Sequence, residues 1–367
     1  MKVALVHDYL NEYGGAEKVL EALSKIWPEA PIYTAFTVPG SSATKAFEGR
    51  KVITSWFGLL PFYERLYSPL RFLIPWIWGS LDFSGYDLII TSASWYVTKG
   101  LGKRFGVKEI CYCHTPPRWL YGYETSINWQ RYWPVRVYAL IVGHFLRMHD
   151  FEQAQKVDIF VANSKNVASR IRKFYRRECV VIYPPVECKS VRAGGYKRKD
   201  YYLIVSRIVG GKGLELAIEA AGKYGFELKI AGERAGYSNK FLISNYSNYS
   251  NIEFLGRVSE EEKYRLMAGA KAFLALAKNE DFGITPVEAM TCGTPVIAFD
   301  GGGYRETVVN KKTGLLFDDY SVEGLGKAMK DFNKLKWNET EIKKWAGRFS
   351  EERFKKEMLQ LVERSME

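Results

Sequence analysis

Short apolar runs recur along the whole chain, and a helix-periodic segment follows most of them. In the first half the strand-like runs are Lys2–His7, Pro31–Phe36, Lys51–Thr54, Tyr86–Thr91, Glu109–Cys113, Asp158–Ala162 and Val180–Tyr183. In the second they are Tyr201–Ser206, Leu228–Ala231, Ile252–Leu255, Phe273–Ala277, Pro295–Phe299 and Gly314–Phe317. Helical spacing of apolar residues appears from Ala16 (Val19, Leu20, Leu23, Ile26), over 135–156, in Lys165–Tyr175, in Leu214–Tyr224 and from Ser259. Strands separated by helices pair in parallel, because the crossover returns each one to the same end of the sheet. The expected fold is therefore α/β, with doubly wound, Rossmann-like sheets. A chain of 367 residues has room for two such domains, each with its own core. Pro184-Pro185, followed by a charged, glycine-bearing stretch over 189–200, marks the boundary. The expected domains are 1–185 and 186–349, with a final helix over Ser350–Arg364.

The stretch 273–306 carries the most chemistry. A buried strand, Phe273–Ala277, leads into a loop with Glu280, Asp281 and Gly283. Thr285-Pro286-Val287-Glu288 then reads as a helix start, with Thr285 as N-cap, Pro286 at the first helical position and Glu288 three residues after the cap. Gly293 stops this helix, and Gly301-Gly302-Gly303 closes the unit. A helix N-terminus presents unpaired N–H groups and partial positive charge, which suits a phosphate, and Gly283 lets backbone approach it closely. Glu280 and Glu288 would repel that phosphate, so they should meet hydroxyl-bearing parts of the ligand instead. Phosphate in the middle and hydroxyls on both sides describe a nucleotide sugar.

Glu280 and Glu288, eight apart with Phe282-Gly283-Ile284 between them, resemble the E-x7-E signature of retaining family-4 glycosyltransferases of the GT-B fold. The resemblance covers nearly the whole chain and implies two Rossmann-like domains facing a cleft, with residues 350–367 packing back onto the first. It implies that Glu280 lies by the donor sugar and Glu288 by the ribose. Phe282, Gly283, Ile284 and Thr285 would then face sugar and phosphates. It assigns Arg207 and Lys212, in Arg207-Ile208-Val209-Gly210-Gly211-Lys212-Gly213, to the pyrophosphate. Two fixed cations can neutralise a leaving diphosphate without a metal, and no D-x-D occurs in the chain. A P-loop is excluded, because Gly213 stands where Ser or Thr is needed after the lysine. In the first domain the resemblance places Gly14 and Gly15 over donor phosphate and acceptor, and His114 at the donor sugar. His114 follows the strand Glu109–Cys113, at the end where open α/β sheets bind ligands. His7 is the weaker candidate at the end of the first strand, and Arg118 is a candidate for acceptor or donor. The strings His114-Thr115-Pro116-Pro117-Arg118-Trp119 and Tyr183-Pro184-Pro185-Val186 resemble the mannosyltransferase branch that builds polysaccharide or lipid-linked glycans.

Charge and composition narrow the partners. The net charge is +12, and residues 1–190 hold 24 Lys and Arg against 16 Asp and Glu, so the first half is the more basic. Such a surface suits a phosphorylated acceptor or anionic lipid, and no nucleic-acid-binding motif accompanies it. The basic helix Lys165–Tyr175, with Arg170, Arg172 and Lys173, reads either as a solvated face or as a contact for lipid or acceptor phosphate. Residues 56–78 gather Trp56, Phe57, Phe62, Tyr63, Tyr67, Phe72, Trp76 and Trp78 around Arg65 and Arg71. Their charges and prolines exclude a spanning helix; an ordinary core and a membrane-facing surface marked by Trp76 and Trp78 both remain open. Nothing before Val3 resembles a signal peptide, and Cys111, Cys113, Cys179, Cys188 and Cys292 show no CxxC spacing. The expectation is reduced thiols, no metal, no cofactor beyond the nucleotide sugar as co-substrate, and a cytoplasmic protein that touches the membrane peripherally.

The expected activity is metal-independent, retaining transfer of a hexosyl unit, mannose from GDP-mannose, to a hydroxyl of a glycan or lipid-linked acceptor. A UDP-sugar-dependent transferase, an epimerase or glycogen-type synthase on the same fold, and a catalytically silent partner in a glycan-assembly complex stand as alternatives.

Overall fold

The computed structural model of the protein describes residues 1–123, 132–187, 198–233 and 249–367. Cys188, most of the charged stretch 189–200 and residues 245–248 of the polar loop 245–251 lie outside them. The described chain forms two units. One takes residues 1–123, 132–185 and 354–367, and the other takes 186–353.

The first unit is built on a parallel sheet. Its strands are β1 (Val3–His7), β2 (Ile32–Thr34), β3 (Val52–Thr54), β4 (Leu88–Ala93), β5 (Lys108–Cys113), β6 (Ile159–Ala162) and β7 (Cys179–Val181), in the order β3-β2-β1-β4-β5-β6-β7. Every residue of β1 and β4 is buried, as central parallel strands covered on both faces require. The order reverses between β1 and β4, whose register sets His7 beside Ser92. Helices of eight or more residues here are α1 (Gly15–Ile26), α2 (Trp133–Lys156) and α3 (Lys165–Tyr175). Ser164 caps α3 by accepting from Val167 N at 3.0 Å.

The second unit has its own parallel sheet of β8 (Tyr201–Val205), β9 (Glu227–Ala231), β10 (Ile252–Gly256), β11 (Ala272–Ala275), β12 (Val296–Phe299) and β13 (Gly314–Phe317). Its order, β10-β9-β8-β11-β12-β13, reverses between β8 and β11. The helices are α4 (Leu214–Tyr224), α5 (Glu260–Gly269), α6 (Ile284–Thr291), α7 (Val322–Asn333) and α8 (Glu339–Ala346). A last helix, α9 (Glu351–Met366), carries the chain back into the first unit. There Phe354, Met358 and Val362, four apart on one helical face, are buried with Val3, Leu5 and Leu20.

Two expectations are corrected. Helix α6 begins at Ile284 behind Gly283, so Thr285 and Pro286 lie inside its first turn and Thr285 is not the N-cap. Gly283 supplies the entry because its φ of +91° is open to glycine, and a Cβ there would stand 2.8 Å from the Tyr304 ring. The segment 56–78 is divided between the two readings. Phe57, Ile74, Ile77 and Trp78 are buried, and the Trp78 Nε1–H donates to the Tyr96 carbonyl at 2.8 Å. Trp78 is therefore a core residue, not a membrane-facing one, whereas Leu59, Phe62, Phe72 and Trp76 are exposed.

Candidate functional site

Each sheet gathers polar side chains where its strand order reverses, the place where open α/β sheets hold ligands beyond the carboxyl ends of their strands. In the second unit the loop after β8 brings Arg207 and Lys212, and the loop after β11 brings Glu280. The Lys212 Nζ donates to Glu280 Oε2 at 2.9 Å, with both side chains partly open to solvent. The Tyr304 hydroxyl donates to the same oxygen at 3.4 Å. Arg207 is exposed just beyond β8.

Glycines allow the loops to close on one another. The Gly303 N–H donates to the Glu280 carbonyl at 2.9 Å. A Cβ at Gly302 would lie 2.3 Å from that carbonyl oxygen, and one at Gly303 would lie 2.4 Å from the Phe282 Cα. The Gly301-Gly302-Gly303 run thus fixes the backbone of 280–282 from behind. Phe282 and Gly283 are buried, while Ile284 and Thr285 are half-buried at the start of α6.

Glu288 lies one turn further along α6 and is only 1% exposed. With Gly283 as the N-cap, Glu288 does not stand at the capping-box position. Its Oε1 accepts from Lys263 of α5 at 3.3 Å, and Lys263 is also held by Glu260 at 2.8 and 3.0 Å. Lys263 escaped the sequence reading, since its spacing to Glu260 looks like an ordinary helix-surface pair.

The first unit holds a continuous polar chain at the β1–β4 reversal. Glu17 Oε1 lies 3.3 Å from His7 Nε2, His7 Nδ1 lies 3.0 Å from Ser92 Oγ, and Ser92 Oγ lies 2.8 Å from His114 Nε2. Burial opposes a charge on His7, but the hydrogen bond and charge of Glu17, with Asp8 behind it, outweigh burial and raise its pKa. Burial likewise opposes charge on Glu17, and the bond to His7 overcomes it and lowers the pKa. For His114, burial and then the charge of His7 push the pKa down to about 3. Where His7 is protonated, the pair His7⁺–Glu17⁻ faces a neutral His114. In that state His7 can only donate to Ser92, so the Ser92 hydroxyl donates to His114 Nε2 and the His114 proton sits on Nδ1.

The surrounding backbone holds this chain in place. Gly14 is the N-cap of α1, and its N–H donates to Glu17 Oε2 at 2.8 Å, so the Gly14-Gly15 turn positions Glu17. Asp8 accepts from the N–H groups of Ser94 and Trp95 at 3.1 and 2.6 Å and from the Thr98 hydroxyl. Asn163 donates to the His114 carbonyl at 2.9 Å. Glu17, Ser92 and Asp8 were missed from sequence, because pairing across a parallel sheet has no local signature. Arg118 is half-buried after Pro117. Within the basic helix, Arg170 is buried, bonded to Thr115 at 3.0 Å and stacked on Tyr123, so it is a packing residue and not a lipid or acceptor contact. Among the described residues no three His, Cys, Asp or Glu side chains are grouped to hold a metal ion.

Comparison with known proteins meets this geometry in both units. The family model described as Glycosyltransferase Family 4 matches residues 13–190, and that described as Glycosyl transferases group 1 matches 189–347. An uncharacterized glycosyltransferase of Methanocaldococcus jannaschii, MJ1178, is 31% identical over 163 residues, which are 43% of this chain and 45% of that protein. The alpha-1,3/1,6-mannosyltransferase ALG2 of Dictyostelium discoideum is 28% identical over 155 residues, 36% of this chain and 37% of that protein. This chain thus spans less than half the length of either relative. The solved structure of the Anabaena HepE protein in complex with UDP-glucose superposes with a TM-score of 0.73 at 16% identity, covering 99% of this chain and 100% of that one. The two parallel sheets together with these likenesses show the GT-B fold.

Proposed function

We propose that this GT-B chain, whose halves match two glycosyltransferase families, moves a hexosyl unit from a nucleotide sugar to a hydroxyl of a glycan or lipid-linked acceptor. The observation that carries the reading is the meeting of Lys212 and Glu280 at the strand reversal of the second sheet, 2.9 Å apart. One is a cation for the diphosphate and the other an acceptor for sugar hydroxyls. Glu280 holds the lysine in place until the donor's own anion competes for it.

Charge develops on the outer phosphate as the glycosidic bond to it breaks. Arg207, Lys212 and the N–H groups at the start of α6, near Thr285, stabilise that charge more in the transition state than in the bound donor. Cations held by the protein suffice for this, so the reading needs no metal. Glu288, fixed by Lys263, holds the ribose. His114, kept neutral with its proton on Nδ1, offers a hydrogen-bond donor rather than a charge to the sugar. The outcome is retention: the acceptor attacks the face the diphosphate leaves, and that phosphate takes the acceptor's proton.

Mannose from GDP-mannose is the finer reading, supported by the His114–Trp119 and Tyr183–Val186 strings and by the likeness to a mannosyltransferase. A UDP-hexose is the second reading, favoured by the UDP-glucose bound in the HepE structure. Calorimetric titration of GDP-mannose and UDP-glucose into the wild type and Lys212→Ala tests both. One donor should bind, with affinity about 10- to 150-fold weaker in the variant, as loss of a charged hydrogen bond predicts. Binding of neither donor, or equal binding to the variant, overturns the donor site.

A further inference from the structure

Helix α2 turns its apolar stripe outward. Trp133, Val137, Leu140, Ile141, Phe145 and Met148 follow the spacing of one helical face, which elsewhere in this fold is packed into a core. Here Trp133 is 74% exposed, Leu140 69% and Phe145 65%, and the other three are about half exposed. The stripe runs about 22 Å along the helix at 1.5 Å per residue. Soluble surfaces rarely leave so much contiguous apolar side chain uncovered.

A second apolar surface adjoins it. The Tyr138 hydroxyl, at the edge of the stripe, donates to the Pro69 carbonyl and ties α2 to the segment carrying exposed Phe62, Phe72 and Trp76. Cations outnumber anions among these residues. Residues 132–149 contain Arg136 and Arg147 with no Asp or Glu, and 62–81 contain Arg65 and Arg71 against the single acid Glu64. A second copy of the chain would bring the same arginines against these, whereas an anionic bilayer brings the opposite charge. Tryptophans at the exposed ends of both segments suit the lipid headgroup level. No described helix is long and apolar enough to cross a membrane, so the arrangement fits one lying on the surface.

We propose that the outward face of α2, with the Phe72–Trp76 surface beside it, docks this protein on an anionic lipid bilayer. The proposal does not rest on the transferase reading; a chain without transfer activity would dock in the same way.

The test is co-sedimentation with vesicles of phosphatidylcholine alone or mixed with phosphatidylglycerol, beside sedimentation velocity without lipid. The wild type should bind the mixed vesicles, bind pure phosphatidylcholine weakly, and be released by salt. Leu140→Gln combined with Phe145→Gln should lower binding about tenfold or more, since both side chains are exposed and neither supports the core. Val180→Gln, an exposed apolar position in the edge strand β7, should bind as the wild type does. Circular dichroism of the double variant should match the wild type. No wild-type binding, equal binding to both vesicles, or unchanged binding of the double variant overturns the proposal. So does a wild-type dimer that the double variant dissolves, which would make a second copy the occupant.

Discussion

Lys212 and Glu280, 68 residues apart in the chain, form an ion pair of 2.9 Å with both side chains partly exposed. Exposed pairs of this kind contribute little to stability, roughly 0–1 kcal/mol, and under the proposed donor site this one serves binding instead. Lys212→Ala and Glu280→Gln should each lower kcat/KM by about 10- to 150-fold, the loss expected for one charged hydrogen bond, while unfolding midpoints barely move. The double variant should lose less than the product of the two, because each partner orders the other. Strictly multiplicative losses would mean that the two residues serve the reaction independently.

Ser92 is the only described group bonded to both His7 and His114, and its removal leaves two buried ring nitrogens without that partner. Ser92→Ala should therefore cost about 1–3 kcal/mol of folding stability in a denaturant titration. Under the transferase reading it should also lower kcat roughly tenfold with little change in donor KM, since the tautomer of His114 is no longer imposed. Because His114 has a pKa of about 3, it stays neutral through the working range. An acidic limb near pH 6.5 in the rate profile, abolished by His114→Asn, would contradict this arrangement.

The glycines around Glu280 differ in what they tolerate. Alanine at Gly302 places a Cβ 2.3 Å from the Glu280 carbonyl oxygen, a backbone atom that cannot swing aside, and its φ of +56° adds strain. Gly302→Ala should destabilise the second unit by about 1–3 kcal/mol and weaken donor binding with it. Gly210→Ala, with nothing within 4 Å of the added carbon, should leave stability and binding near wild type. Comparable losses in both variants would separate the effect from the contact with Glu280.

The alternation of strands and helices was legible because its signals are local: apolar period, capping serines at 164 and 259, and glycines after helices. The loop of Glu280 and Glu288 was legible for the same reason, both acids lying within one strand–loop–helix. The cap at Thr285 was misplaced because Gly283, free to take a positive φ, starts the helix two residues sooner. What stayed hidden depends on pairing at a distance. Parallel register sets Ser92 beside His7, 85 residues away, and helix packing sets Lys263 against Glu288. The outward stripe of α2 was hidden for a different reason. Its periodicity is the one a buried face would show, and only its place in the unit reveals that it faces solvent.

The ion pair of His7 and Glu17 should write a pH dependence into stability. His7 has a folded pKa above its ordinary 6.5, so its contribution is fully present below about pH 6.5 and is lost as pH rises through the higher folded value. Glu17 has a folded pKa below its ordinary 4.5, so its contribution is present above about pH 4.5 and is lost as pH falls through the lower folded value. The pair therefore stabilises most between these limits. Glu17→Gln removes the carboxylate and keeps the shape, so its cost should be greatest between about pH 4.5 and 6.5, roughly 1.5–3 kcal/mol, and shrink as pH rises through the raised His7 value. Taking the difference between wild type and variant at each pH largely cancels the opposing slope of His114. That residue, kept neutral in the fold, favours the unfolded state as pH falls from 6.5 toward about 3. Guanidinium unfolding of both proteins across the range measures the difference directly. A difference that stays flat with pH would mean that His7 is neutral in the folded protein, and the direction of the Ser92 hydroxyl would have to be reversed.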